Sequence, residues 1–164
     1  MATKLAAETF YRARTILSCE HAQTAVANEP AMRAGQHFVE FTFDPIMATT
    51  VNVGIVTEGF PAGSGVAAYS TPDAFMFSVG TGYLLRAGMR SARRRWTQSF
   101  RAEDRIGLLL DLEADSLSLF QNGEWRGVMV ESGLGKSKWR WAADLVGRGT
   151  SVQIEAKAPP TLEQ

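Results

Sequence analysis

Cysteine is nearly missing from this chain. Cys19 stands alone, so no intrachain disulfide can form, which fits a reducing compartment. A lone thiol is expected to be small, buried or half-buried packing rather than a reactive group. Histidine is scarce too, with only His21 and His37. His21 lies near Cys19 and Glu20, but these three make neither a metal set with ligand spacing nor a nucleophile–base pair with an orienting third group. No segment approaches the roughly 20 apolar residues that a membrane helix needs. The opening stretch MATKLAAETFYRARTIL has no apolar core of the kind a secretory signal carries. The expectation is therefore a soluble, cytoplasmic protein with no membrane partner. Charge of one sign is lacking as well: 17 Lys and Arg balance 17 Asp and Glu. Nothing pulls the chain as a whole toward nucleic acid, and such a partner is disfavoured.

What is present is alternation. In DRIGLLLDLEADSLSLFQNGE (104–124), Ile106, Leu108, Leu110 and Leu112 fall on one face at period two. Leu117 and Leu119 resume the pattern after an acidic turn, with Ser116, Ser118 and Phe120 opposite. This predicts a half-buried antiparallel hairpin. Asn122-Gly123 then supplies the positive φ angles of a primed turn. Similar patterning predicts strands at 36–43, 50–57, 66–69, 74–79, 125–131, 139–145 and 151–156. Asp44-Pro45 ends the first of them, because proline cannot donate to a ladder. Residues 22–34 and 58–65 read as loops, and 86–103 as irregular. Residues 15–18 suggest a short strand, and 1–14 a short helix or a loose arm. Ten to twelve short strands with frequent turn signals point to an all-β fold, a two-sheet antiparallel sandwich or a barrel. At 164 residues the chain has room for one such domain. We place an N-terminal arm or first strand at 1–20, the sandwich at 21–157 and a tail at 158–164.

Catalytic signatures are thin. Gly133-Leu134-Gly135-Lys136-Ser137 looks like the end of a phosphate-binding loop, but position 130 is Val where the motif needs its first glycine. Gly80-Thr81-Gly82 lacks the third glycine of a dinucleotide fingerprint, since Leu85 stands there. No nucleophile elbow surrounds Ser64 or Ser78. The chain is expected to be no enzyme and to need no cofactor or metal.

The sharpest local oddity is basic. Arg86, Arg90, Arg93, Arg94, Arg95, Arg101 and Arg105 crowd an interval whose only acids are Glu103 and Asp104. Guanidinium forks suit carboxylates and phosphates, and Trp96 beside Arg95 offers a stacking surface. Arg90, Arg93, Arg94, Arg95 and Trp96 thus form one candidate patch for an anionic partner. The other reading is a solvated loop whose arginines pair with Asp111, Glu113 and Asp115.

The order of the strands carries a family likeness. Gly35-Gln36-His37-Phe38-Val39-Glu40-Phe41 resembles the G-x-H-Y-W-E-V strand of SPRY domains, and Val53-Gly54-Ile55-Val56-Thr57 resembles their V-G-V-A-T. Asp104 to Asp111 resembles D-x-I-G-C-L-L-D, and Ser116 to Gly123 resembles L-S-F-F-K-N-G-E. Gly127-Val128, Trp139 to Leu145 and Gly149 to Ile154 follow as in that family. The likeness covers roughly residues 30–156. It departs at Val39, where tryptophan is common, at Ala67-Ala68-Tyr69, which lacks a tryptophan, and at Trp141, where proline is usual. Trp96, Trp139 and Trp141 are expected to fill the volume so lost.

The resemblance implies a bent, concanavalin-like β-sandwich that serves as a non-catalytic protein-interaction module, an adaptor or subunit holding a protein or peptide through variable loops. The loops it implies are Asn28–Met32, Glu58–Gly65 continuing to Tyr69, and Val146-Gly147-Arg148. The candidate ligand-binding residues are therefore Asn28, Glu58, Phe60, Tyr69, Val146 and Arg148. Phe60 is either an exposed aromatic anchor or a loop residue folded onto the core. His37 reads as a structural residue at a strand start. The alternative function is a carbohydrate-binding, lectin-like sandwich.

Overall fold

The computed structural model describes residues 23–43, 51–62, 64–90, 96, 101, 103–145 and 152–161. The expected arm, helix or strand within 1–20 lies outside them, as do Cys19 and His21. Eleven strands are present among the described residues: β1 Gln23–Val26, β2 Gln36–Phe43, β3 Val51–Thr57, β4 Ala74–Ser78, β5 Leu84–Arg86, β6 Met89–Arg90, β7 Ile106–Asp111, β8 Ser116–Gln121, β9 Glu124–Val130, β10 Trp139–Leu145 and β11 Val152–Lys157. They form a six-stranded sheet in the order β1-β10-β3-β4-β5-β6 and a five-stranded sheet in the order β11-β2-β7-β8-β9. All pairings are antiparallel. The fold is an all-β sandwich, as the alternating pattern predicts.

The inner faces supply the main core. Phe41, Ile106, Leu108, Leu110, Leu117 and Leu119 from the five-stranded sheet meet Val53, Ile55, Phe77, Trp139 and Trp141 from the other. Each fully buried Leu or Ile there contributes on the order of 2 kcal/mol. Trp141 packs edge-on against Phe41 with ring centroids 6.3 Å apart, and Trp139 lies 5.8 Å from Phe75. Trp96 packs against the same core. All three tryptophans thus sit where the sequence requires volume.

Four expectations fail locally. The stretch 22–34 is not all loop, because Gln23–Val26 pairs with Ala142–Leu145 of β10. Its small residues hide the pattern. Residues 66–69 form no strand; a 3-10 turn spans Ala68–Ser70, and its amides bond a side chain rather than a ladder. Within 86–103, Leu84–Arg86 and Met89–Arg90 make a tight hairpin, turned by Ala87 at φ 51° and Gly88 at φ 74°. The hairpin at 106–121 is also buried on both sides rather than one. Phe120, Leu109 and Phe38 form a second apolar cluster on the outer face of their sheet, with Phe38 and Phe120 edge to face at 5.3 Å. The Asn122-Gly123 turn has the expected geometry, φ 52° then 81°. The pairing of β8 with β9 breaks register twice, between Leu117 and Ser118 and between Leu119 and Phe120.

Among the described residues no helix is long and apolar enough to cross a membrane.

Candidate functional site

The segment after β1 arches over β10. Its two feet are fixed: the Ala27 amide donates to the Trp141 carbonyl at 2.8 Å, and Met32 exchanges two backbone bonds with Trp139 at 2.7 and 3.1 Å. Between the feet, Arg140 Nη1 donates to the Glu29 carbonyl at 2.7 Å. The chain then turns at Gly35 (φ 78°) into β2. This path opens a cleft of about 700 Å³ on the flank of the sandwich, bounded by the arch, the start of β2, Arg140 and Trp141 of β10 and the end of β11. Its apolar walls include Pro30, Met32, Val39, Trp141 and Ala156.

The charged groups around the cleft are mostly cationic. Arg33, Arg140 and Lys157 line it against one carboxylate, Glu29. Lys157 pairs with Glu40, which also accepts from Arg105 Nε at 3.2 Å. Glu40 is only 5% exposed although it lies on the outer face of its sheet, so both cations serve to hold it. Arg33 is exposed and bonds to no other described residue. His37 Nε2 lies 2.7 Å from the Ala34 carbonyl, which locks the ring to the chain that enters β2 and fits its structural reading.

Of the candidate ligand residues, Asn28, Glu58, Phe60 and Tyr69 lie among the described residues, and they do not share one surface. Asn28 is exposed on the arch. Glu58 lies near the same end of β10, its amide bonded to the Lys138 carbonyl and its side chain 3.8 Å from Lys138 Nζ. Phe60 is no exposed anchor. It is 7% exposed and packs with Val56, Ala68, Ala74, Met76 and Ala142 on the outer face of the six-stranded sheet, so it is folded onto the core. Tyr69 is half-buried against that cluster. Val146 and Arg148 lie outside the described residues.

What fixes the loop 58–71 is a carboxylate that sequence reading passed over. Asp144 is fully buried. It accepts from Thr24 Oγ1 at 2.5 Å, the Ala68 amide at 2.9 Å, the Tyr69 amide at 3.0 Å and Asn52 Nδ2 at 3.3 Å. The Ala68 amide also donates to Thr24 Oγ1 at 2.7 Å. These bonds spend the amides on a side chain, which is why 66–69 forms a turn. The only sequence signal was a charged residue on a strand whose neighbours are all buried.

Of the basic patch, Arg90 and Trp96 lie among the described residues. Arg86 stacks 4.5 Å over Phe75 and Arg90 stacks 4.9 Å over Tyr83. Trp96 is half-buried, with its amide on the Gly82 carbonyl at 2.7 Å. Arg93, Arg94 and Arg95 lie outside the described residues. The acids proposed to pair with the arginines have other partners. Asp111 accepts from Gln36 Nε2 at 2.8 Å and from the Glu113 and Ala114 amides. Asp115 accepts from the amides of Gly133, Leu134 and Gly135 at 2.8, 2.6 and 2.8 Å.

The last contact explains the likeness to a phosphate-binding loop. Gly133–Gly135 does form an anion-binding nest, and the protein's own Asp115 fills it. The Gly133 amide, with those of Leu134 and Gly135, holds the Asp115 carboxyl below its ordinary 3.8 against partial desolvation. Burial pushes Asp104 up, but the Arg101 amide, Asn122 and Gln121 outweigh it and leave that carboxyl low. Burial is likewise overcome at Asp111 by the Ala114 amide, Gln36 and the Glu113 amide. Folded values below the unfolded ones mean that these groups stabilise the protein above about pH 4 and lose that effect as pH falls through the folded values. Urea midpoints are expected to be flat from about pH 7 to pH 5 and to drop below about pH 4, with a shallower acid limb in Asp115→Asn. An acid limb unchanged by Asp115→Asn would contradict the role of the nest.

Among the described residues no group of three or more His, Cys, Asp or Glu side chains could hold a metal ion.

No protein-family model matches the sequence, and no curated protein matches it significantly. Solved structures do match. The SPRY domain of human HERC1 superposes with a TM-score of 0.66 at 16% identity, covering 87% of this chain and 86% of that one. A human SPRY domain gives 0.63 at 18% identity, covering 89% of each chain. The TRIM65 PSpry domain gives 0.60 at 14% identity, covering 82% of this chain and 71% of that one. The architecture is that of a SPRY β-sandwich.

Proposed function

We propose that this SPRY-like sandwich is a non-catalytic interaction module, an adaptor or subunit that holds a peptide or a protein surface in the cleft beneath the 27–34 arch. The observation that carries this is the cleft itself, about 700 Å³ with apolar walls and a cationic rim. Ligand sites of this kind combine an apolar wall with a few polar groups that set orientation. The scaffold is suited to the task, since the arch is tied to β10 at both feet and a preordered wall costs little entropy on binding. Asn28 and Glu58 lie at the same end and would extend the contact surface. Tyr69 sits on the outer face of the six-stranded sheet.

Binding is tested with a photocrosslinking amino acid placed at Ala31, which lines the cleft, or at exposed Asn122 at the far end of the sandwich. The expected result in cells of the source organism is a discrete crosslinked protein from position 31 and none from position 122. Equal labelling from both positions, or none from position 31, would refute the cleft as the binding site.

A further inference from the structure

The cleft contains an interrupted sheet edge. The Leu112 amide bonds the Gly35 carbonyl at 2.9 Å, and the β2–β7 register pairs Gln36 with Asp111 and His37 with Leu110. In an antiparallel ladder the hydrogen-bonded pairs alternate. The backbone groups of Gly35, His37 and Val39 therefore point to β7, while those of Gln36 and Phe38 point to the opposite side, toward β11. The β11 register ends with Lys157 opposite Phe38. The next hydrogen-bonded pair on that ladder would be Gln36 with Pro159, and proline has no N–H to give. No bond to the Gln36 backbone from any described residue replaces it. Gln36 is exposed and lines the cleft, so its amide and carbonyl are presented there, at the point where β11 is cut short.

We infer that the cleft takes an extended peptide that continues the β11 side of the sheet and pairs with the backbone of Gln36, with an apolar side chain and an acidic group close together in sequence. This rests on the cleft being the binding site. Backbone pairing at a sheet edge supplies affinity, and alternate side chains supply specificity. The residue paired with Gln36 points its side chain outward, as Gln36 does. Its neighbours point inward, to the floor of Val39, Trp141 and Ala156. The acidic group is required by charge complementarity: three cations and one carboxylate line the cleft, Lys157 is engaged by Glu40, and Arg33 has no described partner. An Arg fork matches a carboxylate in geometry as well as in sign.

The test is selection of random displayed heptapeptides against the full chain, followed by affinity measurement on the synthetic consensus. The expected consensus carries Asp or Glu within two positions of a large apolar residue. Arg33→Glu is expected to weaken the consensus at least about tenfold, and a peptide with Lys in place of the acid is expected to recover binding to that variant. Backbone N-methylation along the peptide is expected to cost about tenfold or more at one position, the amide that pairs with the Gln36 carbonyl. Arg33 is an exposed side chain, so its substitution leaves the fold intact. Enriched peptides without an acid, or affinity unmoved by both Arg33→Glu and a cleft-filling Ala31→Trp, would overturn the inference. If no peptide is enriched while the crosslink from position 31 persists, the peptide class is wrong and the cleft as a protein-binding site still stands. If both fail, so does the site.

Discussion

Gly54→Ala is expected to remove most of the stability of this protein. Gly54 lies in the middle of β3, opposite Met76 of β4. A methyl group built on it would sit 1.9 Å from the Phe75 carbonyl oxygen and 2.9 Å from the Met76 Cα. Those atoms belong to the backbone of the adjacent strand and cannot rotate away. Relief requires β3 and β4 to separate, and β3 also pairs with β10 along its whole length. Overpacking against movable side chains costs about 1–3 kcal/mol; against a central ladder the cost is expected to reach about 4 kcal/mol or more, within the range of total domain stability. Gly59 provides the control, because a Cβ there meets nothing within 4 Å. Gly59→Ala is expected to be neutral or to stabilise by under about 1 kcal/mol. Urea unfolding of both variants decides the matter, and a Gly54→Ala midpoint close to wild type would refute the close approach.

The second large effect is at Asp144. Its removal strands the Thr24 hydroxyl, the Tyr69 amide and the Asn52 side-chain amide, drawn from β1, the 3-10 turn and β3, and leaves the Ala68 amide only Thr24 Oγ1. Each buried donor left without an acceptor costs about 1–3 kcal/mol. Thr24 keeps a weak alternative in the Val66 carbonyl at 3.4 Å, and the vacated space can admit water. Asp144→Ala is therefore expected to destabilise by about 3–5 kcal/mol. Asp144→Asn preserves the shape but turns an amine toward one pair of donors, so it is expected to recover less than half of that loss. Hydrogen exchange reports the same bonds independently: beyond the acceleration that global destabilisation gives the β7 amides, the Tyr69 amide is expected to exchange about a hundredfold faster or more in Asp144→Ala. Wild-type protection of Tyr69 in that variant would show that the carboxylate is not its acceptor.

Strand patterning was legible wherever one face was apolar and the other polar. β2 and β10 fall where the alternation places them, and β7, β8 and β9 do so within a residue. It failed where a strand is too small to show contrast, as in Gln23–Val26, and where the outer face is itself covered, as at Leu109 and Phe120. It failed again at 66–69, because a carboxylate about 75 residues away captures the amides. The site was less legible than the fold. A loop residue such as Phe60 shows its type but not its direction. The cleft is made by an arch, a turn, the start of one strand and the proline-limited end of another, and no single motif spells that out. Arg33 and Gln36 sit next to candidate segments, yet only the pairing register reveals an open backbone position.

The two breaks in the β8–β9 register have a bearing on self-association. A straight, fully paired outer strand is a template for a second copy, and a bulged and twisted one is not. β9 carries both irregularities along with Glu124 and Arg126. The other outer strands of the described sheets are guarded differently: β6 is two residues long, β1 is four, and β11 bears Glu155 and Lys157 before it stops at Pro159. The described sheets are thereby discouraged from stacking into fibrils while keeping one open pairing position at Gln36, a single residue beside Pro159 and too short a stretch to pair with another folded sheet.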